Sequence, residues 1–168
     1  MSMDSVVDDT LVRDMARIVV KQVAPAELPM FSTLSDAYLA DLRAPRSGSG
    51  GSGPLGFGVG DAVELLTPVA LMVATEVTQH LVGEFTRGAV ARGRRAVTHA
   101  VRRLFHITGK SAEPEDEEAP VTLTAVQWAE VRRIAVETAR RSGLSAEMAE
   151  LMGDAVVGAG QIQRDQKQ

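Results

Sequence analysis

The sequence predicts an all-α protein: a helical bundle built on one long central helix with a kink site, carrying an N-terminal and a C-terminal helical hairpin. Three observations support this. Apolar residues recur at steps of three and four through every long segment, which is the period of a helix face. Aromatic residues make up only 4% of the 168-residue chain, so the core must be built from Val, Leu, Ala and Met, which suits close helix packing. Two linkers, one rich in Gly and Ser and one acidic, cut the chain into three helical stretches.

The N-terminal hairpin is assigned to 1–45. Its first helix is expected over 4–23, because Val7, Leu11, Met15, Ile18, Val19 and Val23 share a face. Acidic residues precede basic ones there, as the helix dipole favours, and Pro25 ends it. A second helix is expected from Pro29 to Leu42, with proline in the first turn. Phe31, Leu34, Tyr38 and Leu42 should form its inner face. Residues 46–60 read as a flexible Gly/Ser linker. The Gly56-x-Gly58-x-Gly60 run within it is not a dinucleotide fingerprint, and no strand precedes it.

The central helix is expected over 61–110, with its ordered part ending near Ile107. Asp61 and Glu64 have capping-box spacing. Pro68 either kinks this helix or restarts it with Thr67 as cap. Residues 63–77 are apolar on nearly every side, which marks a helix central to a core or in lipid. The uncharged run Leu65–Thr75 is far shorter than the roughly 20 residues that span a bilayer. From Val77 onward the segment becomes amphipathic: Leu81, Val82, Phe85, Ala89, Val97, Ala100, Val101, Leu104 and Phe105 form a stripe, and the arginines lie away from it.

An acidic linker follows at 111–121. The C-terminal hairpin is assigned to 122–160, with a frayed tail at 161–168. Thr122 or Thr124 caps a helix reaching Ser142, with Val126, Val131, Ile134, Ala135 and Thr138 inward and Trp128 beside them. Gly143 supplies the left-handed C′ position and Leu144 its apolar contact. A last helix should run from Ala146 to Val157, carrying Met148, Leu151, Met152, Ala155 and Val156.

Charge is segregated, and this is the main functional signal. The net charge is −4, yet residues 87–110 hold seven Lys/Arg and no Asp/Glu. Arg87, Arg92, Arg94, Arg95, Arg102 and Arg103 form a basic face for a protein partner or an anionic membrane surface. The all-round apolar stretch exceeds what one short hairpin covers. Leu65, Leu66, Val69, Met72, Val73 and Val77 are therefore expected to mediate self-association into a homo-oligomer.

Several chemistries are disfavoured. Absence of cysteine excludes disulfides, thiolate ligands and a cysteine nucleophile. His80, His99 and His106 form no metal-binding pattern, and the last two sit among arginines. There is no nucleophile elbow, Walker loop or paired-carboxylate motif, so neither enzyme activity nor a cofactor is expected. The Ala139-x-x-x-Gly143-Leu144-Ser145 turn resembles a helix-turn-helix, but the following helix offers Glu147 and Glu150 where base-reading side chains belong. Nucleic acid is accordingly disfavoured as a partner. The acidic start lacks an apolar h-region, and arginine outnumbers lysine fifteen to three. A bacterial cytoplasmic address, peripheral to membrane in the lipid reading, is the expectation.

The leading functional expectation is thus a non-enzymatic assembly or adaptor protein. The alternative is a membrane-surface protein that lays the amphipathic basic helix on anionic lipid.

Overall fold

The structure, a computed structural model, describes residues 8–43, 65–88, 94–107 and 121–161. All regular elements among the described residues are helical: α1 (Asp9–Val23), a 3₁₀ helix (Pro25–Met30), α2 (Phe31–Arg43), α3 (Leu66–Gly88), α4 (Arg94–Leu104), α5 (Ala125–Arg141) and α6 (Ala146–Gln161). The all-α class expected from the sequence holds. α1 packs on α3, α3 on α5, α5 on α6 and α6 back on α1, while α2 and α4 lie against α3.

Helix α1 begins where its chemistry allows. The Asp8 carboxylate accepts the Thr10 N–H at 2.9 Å, capping the first turn. Leu11, Val12, Met15, Ala16, Val19 and Val20 then form a continuous buried face. The helix stops at Ala24, ahead of Pro25.

The start of α3 differs from the sequence expectation. The helix opens at Leu66, so Pro68 sits in its first turn, where the missing N–H has no intrahelical partner to lose. Thr67 is the second helical residue rather than the cap. The capping carboxylate comes from Glu27 of the 3₁₀ helix, which accepts from Leu66 N and Thr67 N, both at 2.8 Å, and from the Thr67 hydroxyl at 2.6 Å. The proposed cap pair Asp61 and Glu64 lies outside the described residues.

Where one helix is expected over 61–110, the described residues form two, α3 and α4. The second docks its Val97, Ala100, Val101 and Leu104 face inward, and Phe105 meets Trp128 edge-to-face with centroids 6.1 Å apart. His106 ends α4 in the left-handed region (φ 53°), with Ile107 N donating to Arg102 O at 2.9 Å and His106 N to Arg103 O at 3.2 Å. This is the glycine-type helix stop made with a histidine.

The α5–α6 pair follows its local signals closely. Thr124 and Gln127 form a reciprocal capping box. Gly143 has φ 98°, Leu144 N reaches Ala139 O at 3.2 Å, and the Leu144 side chain is buried. The helices approach closely at two glycines. A Cβ at Gly153 would sit 2.5 Å from Val136 Cγ2, and one at Gly160 would overlap the Trp128 ring.

Three inner faces are rotated from expectation. On α2 the buried set is Phe31, Ser35, Tyr38 and Leu39, while Leu42 is exposed. Ser35 tolerates burial because its hydroxyl donates to Ser32 O at 3.0 Å. Val126 points outward, since it lies two residues, about 200° of helix, from buried Trp128. Leu151 is likewise exposed, and Ala149, Met152, Gly153 and Val156 face the core instead.

Candidate partner-docking surface

The basic segment is divided by the fold. Arg102 projects from α4 toward the first turns of α1, where its guanidinium lies 3.2 Å from an Asp14 oxygen and 3.5 Å from Asp8. Its side chain is only 15% exposed. Asp8 therefore acts twice, capping α1 with one oxygen and facing Arg102 with the other. The arginine next to it, Arg103, is exposed, as is His99. A step of one residue turns a helix by about 100°, enough to separate a guanidinium tucked against α1 from one directed outward.

Arg87 stands near the end of α3 with its side chain 76% exposed, paired to Glu84 one turn earlier. Such an exposed pair within one helix contributes little and leaves the charge accessible. Arg94 and Arg95 belong to the first turn of α4, and Arg92 lies outside the described residues. Of the six arginines, the structure brings Arg102 to the chain's own acids and leaves Arg87 and Arg103 at the surface.

The residues expected to meet another copy have a different placement. Leu66, Val69, Val73 and Val77 are all buried in this chain's own core, and Leu65 and Met72 are half-buried. The reason is that α3 has neighbours in α1, α2, α4 and α5. A helix so enclosed needs apolar residues on most sides without any second copy.

Sequence reasoning did not single out the carboxylates that influence Tyr38. Tyr38 of α2 is buried to 4% exposure, and the negative charges of two exposed carboxylates, Glu76 of α3 and Asp41 of α2, disfavour its phenolate. Burial first, and then these two charges, push the phenol up to about 12. Glu76 also borders a groove of about 410 Å³ between α3 and α5, floored by Ile134 and Thr138 and flanked by Gln79, His80, Arg133, Glu137 and Arg141. The α5 wall is internally paired: Arg133 holds Glu130 and Glu137, and Arg141 also reaches Glu137. Hydrogen bonding from Arg133 lowers the Glu130 pKa.

The hairpin that resembles a DNA-binding turn carries its own charge network. Arg132 bonds Glu150 at 2.6 Å and Asp154 at 2.7 Å, and Arg140 reaches Glu150 at 3.1 Å. These arginines are engaged by α6 carboxylates, and the outer side of α6 bears Glu147, Leu151 and Asp154. Such a face would repel phosphate.

Among the described residues, no group of three or more His, Cys, Asp or Glu side chains is placed to hold a metal ion. No described helix is long and apolar enough to cross a membrane. Neither a family model, nor a curated protein, nor a solved structure matches this chain.

Proposed function

We propose that this chain is a non-enzymatic helical assembly protein that docks a negatively charged protein surface on the outward side of its basic segment. The observation that carries this reading is the orientation of α4. Its apolar face is sealed against the protein core, while Arg103 and His99 face outward, with Arg87 exposed near the end of α3. A surface that is charged outside and apolar inside favours a partner recognised by charge. Charge recognition of this kind acts strongly on association rate and partner choice.

The lipid reading needs the opposite arrangement. An interfacial helix lays its apolar stripe into the headgroup boundary, whereas Val97, Ala100, Val101, Leu104 and Phe105 of this stripe are buried within the chain. Self-association, in the same way, falls to the charged surface, because most of the apolar α3 residues considered for it are occupied internally.

Titrating a labelled oligoglutamate peptide into the full chain tests the proposal. Binding that weakens with salt and is lost on Arg87→Glu with Arg103→Glu supports it. Absence of peptide binding together with flotation on anionic vesicles would replace it with the membrane-surface reading.

A further inference from the structure

We propose that the groove between α3 and α5 binds a free α-amino acid with an uncharged, hydrogen-bonding side chain, its ammonium on Glu76 and its carboxylate on Arg141. The inference is independent of the docking reading above, because neither α4 nor Arg87 lines this groove.

The register of the two helices follows from one contact. The Ser142 hydroxyl lies 3.7 Å from Met72 Sδ, so the carboxyl end of α5 stands beside Met72. The α5 residues along the groove, Arg133 to Arg141, precede Ser142, whereas those of α3, Glu76 to His80, follow Met72. The helices therefore run antiparallel there. Glu76 stands toward the Arg141 end of the groove and His80 toward the Arg133 end.

The two ends differ in chemistry. Arg133 is fully engaged, with Nε and Nη2 on Glu130 and Nη1 on Glu137. Arg141 gives Glu137 a single hydrogen bond at 3.0 Å through Nη2, which leaves Nε and Nη1 as open donors among the described residues. Glu76 is exposed and has neither an ion pair nor a hydrogen bond among the described residues. One end thus holds an unpaired carboxylate on α3 and a guanidinium with donors to spare on α5. They are not paired with each other, and a groove of about 410 Å³ lies between their helices. An α-amino acid carries its two charges on a single carbon atom, so it needs an acid and a base at the same end. A ligand of one charge would satisfy one wall and leave the other unmet.

The floor supplies a second feature of a site. Thr138 is only 7% exposed, yet its hydroxyl makes no hydrogen bond among the described residues and is not sealed from solvent. It therefore opens onto the groove that it lines, as a donor and acceptor without a protein partner. Beside it, half-buried Ile134 supports the aliphatic part of a ligand side chain, and Gln79 and His80 offer hydrogen bonds to its tip. Glu130 and Glu137 already neutralise Arg133, so that end favours a side chain without charge.

Ligand-observed saturation-transfer NMR on the full chain, with L-glutamine as the probe, tests this. The open groove implies a Kd on the order of 1 mM. N-acetyl-L-glutamine has lost the ammonium and L-glutaminamide the carboxylate, and each should bind at least about tenfold more weakly. Glu76→Gln should weaken L-glutamine by a similar factor and leave N-acetyl-L-glutamine unchanged. Arg141→Gln should weaken L-glutamine and leave L-glutaminamide unchanged. Both positions are exposed, and the analogue series on the wild type decides the matter even where a variant fails to fold. Absence of saturation transfer from L-glutamine at about 10 mM overturns the proposal. Equal binding of the blocked analogues does the same, as does an L-glutamine affinity indifferent to both substitutions.

Discussion

Glu27 closes the amino end of α3 through Thr67, accepting both its backbone N–H at 2.8 Å and its hydroxyl at 2.6 Å across 40 residues of chain. The other oxygen accepts from Leu66 N, and Pro68 has no N–H to satisfy. A carboxylate only 9% exposed would ordinarily be costly. Three hydrogen bonds and the positive end of the helix dipole offset that cost. Glu27→Ala should lower stability by about 2–3 kcal/mol, because three buried donors lose their partner. Thr67→Val, which keeps the backbone bond, should cost about 1 kcal/mol. Urea midpoints check both, and the double variant should cost less than the two singles added.

That contact also shows where sequence reading runs out. Thr124, Gly143 and Leu144 announce the α5–α6 hairpin because a cap and a turn are settled by residues a few positions apart. The beginning of α3 is settled by an acid between Pro25 and Pro29, far away along the chain, and no periodicity points to it. Apolar spacing likewise finds α4 and says that its arginines avoid the core. It does not say that the flank bearing Arg102 is covered by Asp8 and Asp14, since that depends on how α4 docks beside α1. The apolar girth of α3 carries the same ambiguity, because burial by four neighbours of one chain and burial by a second copy demand the same residues.

Tyr38 predicts a pH dependence with a definite sign. Its folded pKa is raised to about 12 from the ordinary 10.0, so the neutral phenol is favoured in the folded state. The associated stability is fully present below pH 10 and is lost as pH rises from 10 through 12. The loss should be on the order of 2 kcal/mol. Tyr38 is the only tyrosine in the chain, so phenolate absorbance reports it alone. Tyr38→Phe should remove this alkaline component from the stability curve.

Glycines on α6 should respond in opposite ways. At Gly160 a methyl group would overlap the Trp128 ring, and at Gly153 it would press on Val136. At Gly158 the nearest atom is Gln22 Oε1 at 3.7 Å, an ordinary contact. Alanine is the better helix former by about 1 kcal/mol, so Gly158→Ala should be neutral or stabilising by up to that amount. Gly160→Ala should instead destabilise by about 2 kcal/mol, because overpacking outweighs the helix gain. Thermal midpoints of the two variants should move in different directions.

The two left-handed helix stops form a second contrasting pair. Gly143 occupies φ 98° without a side chain, whereas His106 holds φ 53° with one. A left-handed conformation costs a non-glycine residue about 1 kcal/mol. His106→Gly should recover about that amount, and Gly143→Ala should lose it at the α5–α6 turn. Denaturant midpoints with unchanged slopes would check both, since unchanged slopes show that neither variant alters the surface exposed on unfolding.

Adjacent arginines on α4 should separate folding from binding. Arg102 is largely covered beside Asp14 and Asp8, so Arg102→Gln should lower stability by about 1–2 kcal/mol, leaving two acids without their cation. Arg103 is exposed, so a contact it makes is worth at most about 1 kcal/mol, and Arg103→Gln should lower stability less than Arg102→Gln does. Salt should sharpen the difference. Raising ionic strength from about 0.1 to 1 M shortens the screening length from roughly 10 to 3 Å. Acidic-peptide binding through Arg103 should fall steeply over that range, whereas the shielded Arg102–Asp14 contact at 3.2 Å should weaken far less. If Arg103→Gln instead unfolded the chain while Arg102→Gln left it intact, the division of the basic segment into a structural and a docking arginine would be wrong, and the outward face of α4 would lose its claim to a partner.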